Sequence, residues 1–145
     1  MATCYDVFDI AIALMDEVNE STGSTRTTDT KEYELRTTGI LTALGGELYP
    51  YSDTYKVTEA GKRPVFRVLD DMESELDLDE YLAKTVLPYG LAAQLLLDEN
   101  PASASFLQQR YEEMKRTAGS MPGQFDSIVD VYGMSNEYGE FSRWG

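Results

Sequence analysis

The chain has 145 residues, 26 acidic against 12 basic, with no histidine and a formal net charge of -14. That balance repels phosphate and argues against a nucleic-acid-binding surface, and without histidine there are no imidazole bases or imidazole metal sites. Cys4 is the single cysteine, so no disulfide can form within the chain, and the longest strongly apolar run, residues 91–97, is far shorter than the ~20 residues of a membrane-spanning helix.

The apolar patch from Ile10 to Met15 has no basic residue before it, unlike a signal peptide, so one soluble domain made inside the cell is expected. Thr3-Cys4-Tyr5-Asp6 predicts a helix start, with the Thr3 hydroxyl as cap and Asp6 in the first turn. Val7, Phe8, Ala11, Ile12, Leu14, Met15 and Val18 then form an apolar face wide enough to be packed on two sides. Residues 19–28, rich in Ser, Thr and Gly, predict a loop. Asp29-Thr30-Lys31-Glu32 is an acidic capping box, and Tyr33, Thr37, Ile40, Leu41, Leu44 and Leu48 follow at helical spacing. Gly45-Gly46 costs that second helix roughly 2 kcal/mol against alanines, and Pro50 bounds it.

Residues 54–69 change character. Tyr55, Val57, Val65, Phe66 and Val68 are strand formers, and Glu59-Ala60-Gly61-Lys62 offers a turn, so a β-hairpin is expected. Pro64 cannot donate to a ladder, which confines its strand to an edge or to a start after it. Residues 70–80 carry seven carboxylates and no base. They do not match a calcium-binding EF-hand loop: counted from Asp71, the sixth and twelfth positions hold Leu76 and Leu82 instead of glycine and a carboxylate. An acidic connector is expected instead.

Asp77-Leu78-Asp79-Glu80 predicts the capping box of a third helix, with Leu76 and Tyr81 as its hydrophobic staple. Its stripe is Leu78, Leu82, Val86, Tyr89, Ala93, Leu96 and Leu97, and Pro88 predicts a kink over residues 84–88. Asn100-Pro101 ends this helix and opens a fourth, with Asn as N-cap and Pro at the first helical position. Leu107, Tyr111 and Met114 carry the fourth stripe, and Lys115 and Arg116 lie near its negative end before Gly119. Beyond Met121-Pro122-Gly123 no long helix fits, yet Phe125, Ile128, Tyr132, Phe141 and Trp144 are too many apolar residues for a solvated tail. The expected fold is therefore mainly α: a four-helix bundle-like domain over residues 1–119, a short hairpin at about 54–69, and an irregular C-terminal tail at 120–145 that docks on the bundle or a partner.

Catalytic equipment is sparse. There is no Gly-rich phosphate loop, nucleophile elbow or Cys-x-x-Cys, and Cys4 has no histidine to activate it. Neither an enzyme nor a cofactor or metal site is expected. Interaction residues are the stronger candidates. Lys56, Lys62, Arg63 and Arg67 concentrate the scarce bases in one segment, better suited to protein contact than to a phosphate site and complementary to the carboxylates of residues 70–80 in the same or a neighbouring subunit. In the tail, Tyr132, Phe141 and Trp144 could order by burial against a partner.

The run Leu87-Pro88-Tyr89-Gly90-Leu91-Ala92-Ala93-Gln94-Leu95-Leu96-Leu97-Asp98-Glu99-Asn100-Pro101, followed by Phe106 and Arg110-Tyr111-Glu112-Glu113, resembles the small helical head–tail connector (adaptor or neck) proteins of tailed bacteriophages and prophages. Leu48-Tyr49-Pro50-Tyr51-Ser52-Asp53 and the closing Asp130-Val131-Tyr132-Gly133 with Arg143-Trp144 are similar to segments of phage proteins of unassigned role. The resemblance spans most of residues 5–117 as an order of elements, and its motifs are packing motifs. It implies a virion structural protein made in the bacterial cytoplasm, assembling as a homo-oligomeric ring with portal and tail proteins as partners and no membrane. The competing class is an acidic intracellular regulatory or protein-binding module acting as a monomer or dimer.

Overall fold

The computed structural model describes residues 1–16, 23–56 and 58–120, and it is mainly helical. Its elements are α1 (Cys4–Leu14), α2 (Lys31–Leu48), a 3-10 turn (Tyr49–Tyr51), a π-helical turn (Leu82–Val86) that runs directly into α3 (Leu87–Leu96), and α4 (Pro101–Ser120).

α3 is the centre of the packing. It contacts α1, α2 and α4, and Leu87, Leu91 and Leu95 along it are fully buried. α4 approaches closely at Gly90, where a β-carbon would stand 2.9 Å from the Tyr111 ring and from Leu44. Only glycine allows that separation. Val7, Phe8, Ala11 and Ile12 of α1 and Leu41, Leu44 and Leu48 of α2 complete the core, with Leu14 and Ile40 packed half-buried at its edge.

α1 begins as the sequence predicts. The Asp6 amide donates to Thr3 Oγ1 at 3.3 Å and the Thr3 amide to Asp6 Oδ2 at 2.9 Å, a reciprocal capping box. The remaining first-turn amides find partners in the acidic connector: Cys4 N–H donates to Ser74 O at 3.1 Å and Tyr5 N–H to Met72 O at 3.0 Å. Leu76 N–H returns a bond to Ala2 O at 2.8 Å, giving an isolated antiparallel bridge between Thr3 and Glu75. Residues 70–76 thus cap a helix with their carbonyls, while Asp70, Asp71, Glu73 and Glu75 face solvent and Leu76 is buried. A pairing of Arg26 with Asp9, at 3.0 Å, fastens the loop before α2 onto α1.

The two acidic capping boxes are corrected. Thr30 is the N-cap of α2, but its side chain makes no cap bond; its hydroxyl donates to Thr25 O at 2.8 Å and receives Thr27 N–H at 2.9 Å. At the third predicted helix the cap is Asp79, not Asp77. Asp79 Oδ1 accepts Leu82 N–H at 2.9 Å, and Oδ2 accepts Asp53 N–H at 3.0 Å. Ser52 decides this register: its hydroxyl accepts Asp79 N–H at 2.9 Å, while Thr54 Oγ1 donates to Asp77 O at 2.8 Å. The end of α2 and the start of the next helix are knotted together, and the knot selects which aspartate caps.

The kink expected at Pro88 takes the form of the π-helical turn. Leu87 N–H reaches back five residues to Leu82 O. Pro88 has no N–H to give and crowds the carbonyl of Lys84, and the wider turn accommodates both. α4 opens as predicted on Asn100, whose Oδ1 accepts Ser103 N–H at 3.2 Å, but it continues through Gly119 to Ser120.

The hairpin expected at 54–69 is a correction: no strand forms among the described residues of that segment. The predicted turn exists, with Lys62 N–H on Glu59 O at 3.1 Å, but the flanks do not form a ladder. Side chains take the backbone donors that a ladder would use. Lys56 N–H donates to the Tyr49 hydroxyl at 3.3 Å, and Leu69 N–H to Thr42 Oγ1 at 3.1 Å. Pro64 removes a further donor. The segment instead lies across the end of α2, with the Phe66 ring against Gly45 and 5.9 Å from the Tyr49 ring centroid.

Candidate interaction surfaces

Two exposed surfaces and one polar cluster stand out. The first surface is the extended segment after the Glu59–Lys62 turn. Phe66 turns inward and Leu69 is buried, so their neighbours point out: Val65 is 83% exposed and Val68 65%. Lys62, Arg63 and Arg67 flank these valines and are exposed, as is Lys56 at the start of the segment. Arg67 Nη2 donates to the backbone carbonyl of Glu75 at 2.8 Å, which ties the segment to the acidic connector. The carboxylate pairing expected for these four bases is not made within the subunit among the described residues. The ion pairs there join Arg26 to Asp9, Lys84 to Glu80, Arg110 to Glu113, and Lys115 to Glu47 and Glu112.

The second surface is the corner between α3 and α4. Leu97 is 56% exposed and Phe106 66%, with Asp98 and Glu99 exposed between them. Beside Phe106 a groove of about 430 Å³ runs to the end of α1, lined by Leu14, Met15, Asp16, Leu96 and Glu99 among others. Sequence periodicity placed Leu96 and Leu97 on one stripe. The helix turns about 100° per residue, and only Leu96 faces the core. The corner is held in register by α2: the Tyr33 hydroxyl donates to Glu99 Oε1 at 2.7 Å, and Arg36 Nη2 to Leu95 O at 3.3 Å.

The polar cluster joins α2 to α4. Tyr111 donates its hydroxyl to Glu47 Oε1 at 3.0 Å, Lys115 binds the other Glu47 oxygen, and Lys115 also pairs with Glu112 at 3.2 Å. Burial, and then the Glu47 carboxylate beside it, raise the Tyr111 phenol well above its ordinary value of 10. These groups are mutually satisfied, as in a structural clamp.

Cys4 is buried, and its thiol is pushed up to about 11 by burial and, secondarily, by the Asp71 carboxylate. It therefore stays protonated and unreactive at neutral pH. No group of three or more His, Cys, Asp or Glu side chains able to hold a metal ion occurs among the described residues, and no helix there is long and apolar enough to cross a membrane. Tyr132, Phe141 and Trp144 lie outside the described residues.

The basic segment that the sequence singled out for protein contact is exposed, whereas Val65, Val68 and Leu97 read there as strand or core residues. The signal the sequence held was their closeness to charge: Val68 follows Arg67, Leu97 precedes Asp98, and Val65 lies two residues from Arg63 and Arg67. No protein-family model matches the chain, and neither does any curated protein or solved structure with which it was compared.

Proposed function

We propose that the chain is a head–tail connector (adaptor) of a tailed bacteriophage or prophage, a structural subunit that assembles as a ring at the junction of portal and tail and performs no chemistry of its own. The observation that carries this reading is the run from Leu87 to Pro101 with Phe106 and residues 110–113, which resembles such connectors. In the fold this run is α3, the α3–α4 corner and part of α4, where Tyr111 is buried and Phe106, Arg110 and Glu113 are exposed. It therefore comprises the element around which the helices are built and one of the two exposed apolar surfaces. The charge supports the same reading. A ring through which DNA passes should not hold it, and a subunit of net charge -14 presents walls that repel phosphate.

Electron microscopy of the protein mixed with the portal protein of the same genome tests the proposal. Rings seated on the portal are the expected result, together with a mass by light scattering that rises with concentration. Trp144 is the only tryptophan, and assembly should blue-shift its emission if the tail takes part. A chain that stays monomeric or dimeric at all concentrations and ignores the portal is the acidic binding module instead.

A further inference from the structure

The two exposed surfaces described above are complementary in kind and lie at opposite ends of one helix. The basic surface sits on the C-terminal end of α2, where Phe66 packs on Gly45 and Thr42 holds the Leu69 amide. The acidic surface sits at its N-terminal end, where Tyr33 holds Glu99. Twelve residues separate Tyr33 from Gly45, roughly 18 Å along the helix axis. Each surface presents two large exposed apolar side chains: Val65 and Val68 beside Lys62, Arg63 and Arg67, with the exposed carboxylates of Asp70, Asp71, Glu73 and Glu75 next along the chain, and Leu97 and Phe106 beside Asp98 and Glu99.

We propose that the basic segment at residues 62–68 of one copy docks on the acidic α3–α4 corner of a second copy of this chain. The inference deepens the self-assembly reading above and rests on it. Charge decides the pairing. Lys62, Arg63 and Arg67 laid against their own counterparts would bring like charges together, and so would Asp98 and Glu99, so neither group pairs well with itself. Basic against acidic satisfies both and buries four exposed apolar side chains. A pair of copies then keeps one unused surface of each kind, one on each copy, so the contact is head-to-tail. It closes into a ring when the rotation between copies permits and otherwise extends as a filament. Against an overall charge of -14, the cluster of Lys62, Arg63 and Arg67 offers the acidic corner of another copy a local attraction.

The test uses the full chain and two surface variants. Lys62→Glu with Arg63→Glu makes the basic segment acidic. Asp98→Lys with Glu99→Gln makes the corner basic while leaving an oxygen to accept the Tyr33 hydroxyl. Thermal midpoints near that of the parent establish that both fold. At low salt, each variant alone should self-associate about tenfold more weakly than the parent by sedimentation. An equimolar mixture of the two should recover the parent's assembly, because the acidic segment of one meets the basic corner of the other. Assembly of the parent with no loss in one or both variants, or no recovery on mixing, overturns the head-to-tail contact and leaves the connector reading standing. A parent chain that neither self-associates nor assembles on the portal overturns both.

Discussion

The ring of Phe66 occupies the space beside Gly45 that a β-carbon there would need. The glycine pair in α2 is therefore divided in purpose. Gly45 is buried under Phe66, whereas a β-carbon on Gly46 would meet the Phe66 Cβ at an ordinary 3.9 Å. Gly46→Ala should stabilise the protein by about 0.5–1 kcal/mol through helix propensity. Gly45→Ala should destabilise it, since displacing the ring costs roughly 1–3 kcal/mol and exceeds the same propensity gain. In a Phe66→Ala background Gly45→Ala should become stabilising. Chemical denaturation of the four variants reads all of this, and a Gly45→Ala that stabilises with Phe66 present would show that the ring simply moves aside.

The choice of cap at the third helical segment can be measured directly. Asp79→Ala removes acceptors for both Leu82 N–H and Asp53 N–H and should cost about 1–2 kcal/mol. Asp77→Ala removes a side chain whose backbone carbonyl, not its carboxylate, receives Thr54, and should stay within about 0.5 kcal/mol of the parent. Equal losses would return the cap to Asp77.

Tyr111 predicts how the fold responds to alkali. The unfolded phenol ionises near 10, while in the folded protein burial and Glu47 hold its proton to higher pH. Above about pH 10 the folded state thus binds more protons than the unfolded one, and stability falls as pH rises. Below that pH the contribution is present in full. Tyr111→Phe should cost about 1 kcal/mol at neutral pH by removing the bond to Glu47, and should flatten the loss of stability between pH 10 and 11. An unchanged alkaline slope in the variant would place the titration elsewhere.

Leu96 and Leu97 are neighbours with opposite surroundings, one in the core and one 56% exposed. Leu96→Ala should cost on the order of 2–5 kcal/mol, and Leu97→Ala within about 0.5 kcal/mol. The same Leu97→Ala should weaken self-association if the α3–α4 corner is a contact. A pair of equal stability losses would mean the helix is rotated from the face described.

Much of this molecule is written locally. The Thr3 cap with Asp6 in the first turn, the Asn100-Pro101 break and the apolar recurrences from Val7, Tyr33, Leu82 and Leu107 depend on residues three or four apart, and among the described residues they form as the sequence predicts except at Leu97, which faces solvent. Pro88 likewise marks the irregular turn before it, because a missing N–H and a bulky ring act within one turn of their own position. Tertiary structure decided the rest. Whether Asp77 or Asp79 caps depends on Ser52, more than twenty residues away, and whether residues 54–69 pair as strands depends on Tyr49 and Thr42 taking their amides. The glycine pair that reads as a weakness of α2 is the seat of Phe66. Composition alone placed the bases of residues 56–67 together. Only the fold set that surface and the acidic corner at opposite ends of α2, because position along a packed helix is fixed by contacts that no local pattern of residues contains.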